Sequence, residues 1–172
     1  MTTTAFSHGK HERTHRSFER ANDRGTFTLR PATAVSHIDG MRFAAQVRSH
    51  TVITDQKLSA GGHDLAPNPV ELLSVALASC VAFHVHQFYW TRMLPTNGLG
   101  VEVAHGTAES PPRMMEFRVR LVLPDTLPER YMAVLDKVIR SCPVYKSLAP
   151  GATIDVEIVN ADEILAIIPG LT

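Results

Sequence analysis

Cys80 and Cys142 are the only thiols in this chain of 172 residues. A cysteine can act as a nucleophile or a metal ligand, and a buried one can be an inert core residue. In a reducing compartment a structural disulfide is not expected, so inert packing, metal binding and a redox pair are the readings to weigh. The choice depends on the elements that position the two sulfur atoms.

The N-terminus bears on the compartment in which these thiols work. It carries charged residues where a signal peptide needs an apolar stretch, so we expect a cytoplasmic protein. Residues 1–24 are mostly polar, and we predict a flexible arm there, followed by one domain at residues 25–172. Seventeen basic and seventeen acidic side chains leave no net charge, so neither a nucleic acid nor a membrane is expected as a partner.

Cys80 lies in a long apolar segment with a marked start. Asn68, Pro69 and Glu71 have the spacing of an N-cap, a first helical residue and the acidic partner of a capping box. The residues up to Phe83 leave hardly any polar face, so the helix needs cover on nearly all sides. We predict a long helix that is central to its domain or buried in a dimer, in a segment too short to span a membrane.

Alternating apolar and polar residues predict strands on both sides of this helix, and a second helix follows. A Thr126 capping pattern predicts the start of that second helix, and Cys142 ends it just before Pro143. The remaining predictions are strands at 27–30, 42–48 and 51–54, a hairpin at 101–104 and 116–121, a strand at 154–158, and a short helix at 161–168. This order of strands and helices indicates an α+β fold.

Two segments resemble the OsmC/Ohr family. They are Pro67-Asn-Pro-Val-Glu-Leu-Leu-Ser-Val-Ala-Leu-Ala-Ser-Cys80 and Cys142-Pro-Val-Tyr-Lys-Ser-Leu. The resemblance runs from about Ala34 to Val159 and includes Gly61 and Gly62. It implies an OsmC-like fold in which antiparallel sheets are wrapped around long central helices of an intertwined homodimer. A second subunit would supply cover for the apolar helix.

The resemblance implies a thiol-dependent peroxidase without a further cofactor. Cys80 then corresponds to the peroxidatic cysteine, which reduces an organic hydroperoxide to an alcohol and becomes a sulfenic acid. Cys142 corresponds to the resolving cysteine, which forms a disulfide with Cys80, and a dihydrolipoyl dithiol reduces that disulfide. The rival interpretation is a non-enzymatic OsmC-like dimer that senses redox state or binds a small apolar ligand.

A peroxidatic thiol needs a positive group nearby, because a free thiol with a pKa near about 8.5 is mostly unreactive at neutral pH. The resemblance implies an arginine from the first strands, oriented by a glutamate ten residues before the cysteine. Arg42 is the candidate arginine, with Arg48 as the substitute. Val70 occupies the glutamate position. Glu71 is one residue later, about 100° around the helix, and its capping role accounts for it.

His84 follows Cys80 by one helical turn and shares its face of the helix. It could stabilise the thiolate, line a substrate pocket together with Val70, or join both cysteines as a metal ligand. The metal set would lack a further ligand, so we predict a redox pair and no metal site. A mostly apolar pocket mouth beside one reactive thiol would favour alkyl hydroperoxides over hydrogen peroxide.

Overall fold

The computed structural model describes residue 30, residues 33–124 and residues 127–160. Within these ranges the chain is an α+β protein, as the sequence predicts. Its elements are β1 (Ala34–Asp39), β2 (Arg42–Val47), β3 (His50–Thr54), a short 3-10 helix (Leu58–Ala60), α1 (Pro69–Trp90), β4 (Gly100–Glu109), β5 (Pro112–Leu123), α2 (Glu129–Ser141), α3 (Pro143–Leu148) and β6 (Thr153–Asn160).

The first sheet is antiparallel and has the order β1-β2-β3. A tight turn joins β1 to β2 at Gly40, whose φ of 48° is easily reached by a residue without a Cβ atom. Strands β2 and β3 are the predicted ones, whereas β1 was not predicted and the strand expected at 27–30 lies outside the described residues except for its last position. The three strands contact mainly one another, and most of their side chains are exposed.

Helix α1 begins with the capping box that the sequence predicts. The amides of Val70 and Glu71 donate to Asn68 Oδ1 over 2.9 and 3.0 Å, and the amide of Asn68 donates to Glu71 Oε2 over 2.9 Å. One face of the helix is fully buried, whereas the opposite face carries exposed apolar residues. By length and composition alone α1 could also cross a membrane.

The second sheet has the order β4-β5-β6 and packs on the buried face of α1. Strands β4 and β5 form the predicted hairpin, and Phe117, Val119 and Leu121 of β5 point into the core. Strand β6 pairs with β5 in parallel, so this sheet is mixed. The expectation that it is wholly antiparallel was wrong. The reason is the connection, because α2 and α3 carry the chain back to the end at which β5 began.

The helices on either side of Cys142, α2 and α3, agree only in part with the predicted elements. Helix α2 begins at Glu129 with Pro128 at the N-cap and no side-chain cap, whereas the predicted cap, Thr126, lies outside the described residues. Cys142 is the C-cap residue of α2, so the prediction that it ends this helix just before Pro143 is confirmed. A further helix that was not predicted, α3, starts directly after it at Pro143. Proline breaks α2 and suits the first position of the next helix. The helix expected at 161–168 lies outside the described residues.

Candidate functional site

The two cysteines selected from the sequence are joined to each other. Cys80 and Cys142 are 62 residues apart in the chain, form a disulfide, and have Cα atoms 6.2 Å apart. This separation is ordinary for a disulfide. Cys80 comes from the middle of α1 and Cys142 from the junction of α2 and α3. In this state the sulfur atoms are bonded to each other and are not free to hold a metal.

The two sulfur-bearing residues have unequal surroundings. Cys142 is fully buried in the core, whereas Cys80 is only partly buried. The backbone amide of Tyr145 donates a hydrogen bond to Cys142 Sγ over 3.5 Å. The described residues provide no corresponding donor for Cys80 Sγ. Cys80 is therefore the less buried residue of the pair, and Cys142 is enclosed and accepts a hydrogen bond.

A chain of side chains holds the segment around Cys142. Arg140 Nε donates to both carboxylate oxygens of Asp136 over 2.9 Å, and Arg140 Nη1 donates to the Tyr145 hydroxyl over 2.7 Å. The hydrogen bond to Asp136, and next the attraction of Tyr145, raise the pKa of Arg140 above its usual value. Arg140 thus stays charged and links α2 to α3 on either side of Cys142.

A groove of about 310 Å³ lies between α1 and α2, and neither cysteine is among its lining residues. Its walls include His84, Phe88 and Arg92 from α1 and Val134, Val138 and Ser141 from α2. His84 is one turn beyond Cys80, and Ser141 directly precedes Cys142, so one end of the groove adjoins the two cysteines. The structure thus puts His84 in a groove next to the thiols, whereas Val70 is an exposed residue at the start of α1 and does not line it.

Arg42, the predicted activating arginine, lies in the first sheet and is held by Asp39. Arg42 Nε donates to Asp39 Oδ1 over 2.6 Å, and Arg42 Nη2 donates to the second carboxylate oxygen, Asp39 Oδ2. This hydrogen bonding lowers the pKa of Asp39 and raises that of Arg42. Among the described residues, Arg42 forms no hydrogen bond or ion pair with the disulfide region. Arg48 adopts a φ of 56° just after β2 and likewise forms no ion pair there.

Sequence reasoning gave no role to Asp39, Arg140 or Tyr145. The signal for Asp39 was its spacing of three residues from Arg42, which a tight turn brings together. The signal for Arg140 was the four-residue spacing from Asp136 on a helix. No spacing rule indicated Tyr145, because Pro143 separates it from α2.

Glu71 is engaged at the start of α1 and does not take the place of the expected glutamate. It accepts the Asn68 amide and lies 3.4 Å from Lys57 Nζ. The hydrogen bond from that amide is the main cause that holds the pKa of Glu71 below its usual value, against the opposing effect of burial. The predicted capping role is confirmed.

Comparison with known proteins gives a consistent picture. A family model described as OsmC-like protein matches residues 61–157, which is more than half of the chain. Among curated proteins, none has a sequence that matches significantly. A solved structure from Psychrobacter arcticus, of a protein proposed to be an osmotic stress induced and detoxification response protein, is similar with a TM-score of 0.70 and 24% identity. That match covers 77% of this chain and 98% of the other.

Two further similar structures carry the name organic hydroperoxide resistance protein. The one from Legionella pneumophila has a TM-score of 0.59 and 11% identity, and the match covers 76% of this chain and 98% of the other. The one from Elizabethkingia anophelis has a TM-score of 0.60 and 14% identity, with coverage of 78% and 99%. At these identities the structures establish a shared fold.

Proposed function

The chain belongs to the OsmC-like protein family, and we propose that it is a thiol-dependent peroxidase that reduces organic hydroperoxides to alcohols. The proposal rests on one observation: Cys80 and Cys142, which are 62 residues apart in the sequence, form a disulfide. A redox role in peroxide resistance agrees with the family and with the names of two similar structures. The specific chemistry follows from the two thiols.

The proposed cycle has three steps. The Cys80 thiolate attacks the terminal oxygen of the hydroperoxide, the O–O bond breaks, and the alkoxide leaves and takes a proton to become the alcohol. Cys142 then attacks the Cys80 sulfenic acid, which forms the disulfide and releases water. A dithiol of the dihydrolipoyl type reduces the disulfide by exchange and becomes a disulfide itself. The structure corresponds to the oxidised stage of this cycle.

The proposed activating group is Arg42, oriented by Asp39. A charged guanidinium near the sulfur favours the thiolate, and Arg42 remains charged beside its carboxylate partner. A bidentate pair also fixes the direction of the guanidinium. Because the first sheet contacts mainly itself within one chain, we propose that Arg42 approaches a cysteine pair only in an intertwined homodimer.

The exposed face of α1 supports the dimer. Val75, Phe83 and Trp90 are 55%, 62% and 72% exposed, and helical geometry gathers them within about 80° of the helix circumference. Exposed apolar faces of this kind are typical of protein–protein or membrane contacts, and we propose that a partner copy covers this one. A partner copy would cover this face of α1, so the helix would not need a membrane to bury its apolar residues.

The groove beside the cysteines supports an organic substrate. Phe88, Val134 and Val138 give it an apolar wall, and an alkyl group gains from burial there whereas hydrogen peroxide does not. We therefore propose alkyl hydroperoxides as the substrate class. A reducing compartment such as the cytoplasm would supply the dithiol.

The test is a peroxide-consumption assay with cumene hydroperoxide or hydrogen peroxide and dihydrolipoamide as the electron donor. We expect turnover with cumene hydroperoxide, slower turnover with hydrogen peroxide, and none above background for Cys80→Ser. Cys142→Ser should turn over more slowly than the wild type, because its sulfenic acid can condense only with a thiol of the donor and has no resolving thiol in the protein. Equal rates for the wild type and Cys80→Ser would refute the proposal, whereas a single reaction without turnover in the wild type would favour the redox-sensor reading.

A further inference from the structure

We infer that the reductant attacks the sulfur of Cys80 and that Cys142 departs as the thiolate, with Arg140 and Tyr145 as positioning residues for that departure. The inference deepens the proposed function and rests on it only in taking the disulfide as a working state of the protein. It assigns a direction to the reductive step, which the presence of a disulfide alone leaves open.

Access separates the two sulfur atoms. Thiol–disulfide exchange needs a thiolate to reach one sulfur from the side opposite the departing one. Cys142 has 0% of its surface exposed, whereas Cys80 keeps part of its surface open. An incoming dithiol therefore meets Cys80 first.

The departing sulfur has a hydrogen-bond donor in place. Burial disfavours a charged sulfur, so a buried thiolate needs a compensating partner. The Tyr145 amide donates to Cys142 Sγ over 3.5 Å before the bond breaks. Exchange is faster when the leaving thiolate is the more stable one. The amide thus assists departure of Cys142 and offers no comparable help to departure of Cys80.

Arg140 fixes the position of that amide. Tyr145 is a buried residue, with 7% of its surface exposed, and its hydroxyl accepts a 2.7 Å hydrogen bond from Arg140. Arg140 is itself held by Asp136. This linkage ties the first turn of α3 to the last turn of α2 across Pro143. Arg140 does not touch either sulfur and acts through Tyr145.

The step balances as an ordinary exchange. A donor thiolate forms a bond to Cys80 Sγ, the Cys80–Cys142 bond breaks, and its electron pair goes to Cys142. The second donor thiol then attacks the donor sulfur in the mixed disulfide and releases Cys80 as a thiolate. The protein gains two electrons, the donor becomes a disulfide, and its two protons pass to the protein thiols or to solvent.

The first experiment locates the attack. The full chain, oxidised with diamide, is mixed with a small amount of 2-mercaptoethanol, quenched with N-ethylmaleimide and mapped by peptide mass spectrometry. We expect the mercaptoethanol adduct on Cys80 and the maleimide on Cys142. An adduct on Cys142, or an equal split between the two, would overturn the inference. Because diamide replaces the peroxide, a Cys80 adduct in a protein that consumes no hydroperoxide would uphold this inference and reject the proposed function.

The second experiment tests the positioning residues. Arg140→Gln and Tyr145→Phe should slow reduction by dithiothreitol about three- to tenfold, the scale of one hydrogen bond, without slowing oxidation of Cys80 by diamide. Arg140→Lys should recover part of the rate. Arg118→Gln is the matched control, because Arg118 pairs with Glu116 over 3.0 Å on another face. Equal slowing of oxidation and reduction, or reduction at the wild-type rate, would overturn the positioning role.

Discussion

The exposed face of α1 yields the sharpest prediction about assembly, and Phe83 is the residue to change. Phe83 is 62% exposed in one chain. An aromatic side chain of roughly 200 Å² would then bring about 120 Å² into the interface, worth about 3 kcal/mol per chain and about 6 kcal/mol in a twofold dimer. If half of that area is covered, Phe83→Gln should weaken dimerisation by about 3 kcal/mol, or roughly a hundredfold in Kd.

Sedimentation equilibrium over a wide concentration range measures this effect. Circular dichroism and thermal melting should show that the variant still folds, since Phe83 contributes little to the core of one chain. Val134→Gln is the control, because Val134 is a 39% exposed apolar residue that belongs to α2 and not to the exposed apolar face of α1. A wild-type protein that is monomeric throughout, or a Phe83→Gln protein with the wild-type Kd, would show that the apolar face has another purpose.

Three further predictions concern the first sheet and the start of α1. Asn68→Ala should lower the free energy of unfolding by about 1 kcal/mol through loss of the N-cap, and denaturant titration should detect it; an unchanged midpoint would contradict the cap energetics. Because the pKa of Glu71 is lowered in the fold, its contribution is present above about pH 4 and lost as pH falls through the folded value. Glu71→Gln should therefore lower the melting temperature at pH 7 and lower it by less at pH 3, and a constant difference at both pH values would disprove the linkage. Asp39→Asn should slow the reaction of Cys80 with hydroperoxide about tenfold in stopped-flow single turnovers, the scale of one charge-assisted hydrogen bond, and a wild-type rate would reject the orienting role of Asp39.

Local chemistry explains what could be predicted from the sequence. The start of α1 was predictable because the Asn68 and Glu71 side chains bond to backbone groups within three residues. The strand alternation of β5 was predictable because one face packs on the core while Arg118 and Arg120 face outward. In both cases the physical cause lies within the segment that shows the pattern.

Non-local causes explain what was missed. Strand β1 owes its state to pairing with β2, and its apolar residues show no regular alternation that would reveal it. Helix α3 has six residues, too few for a helical period to stand out beside the break at Pro143. The contact from Arg140 to Tyr145 crosses that same break, so only the folded geometry of the two helices brings the groups together.

Val70 stands where the resemblance leads us to expect an acid, and we propose that Asp39 supplies the orienting interaction in its place. In the pattern that the family resemblance implies, a glutamate on the central helix orients an arginine of the first strands. Here Glu71 is committed to the Asn68 amide and to Lys57, so it is not free for that task. Arg42 instead has a carboxylate three residues away, and the turn at Gly40 closes that pair within one hairpin. An orienting acid that moves with its arginine needs no register between the sheet and the helix, so the loss at Val70 is compatible with a working thiol peroxidase.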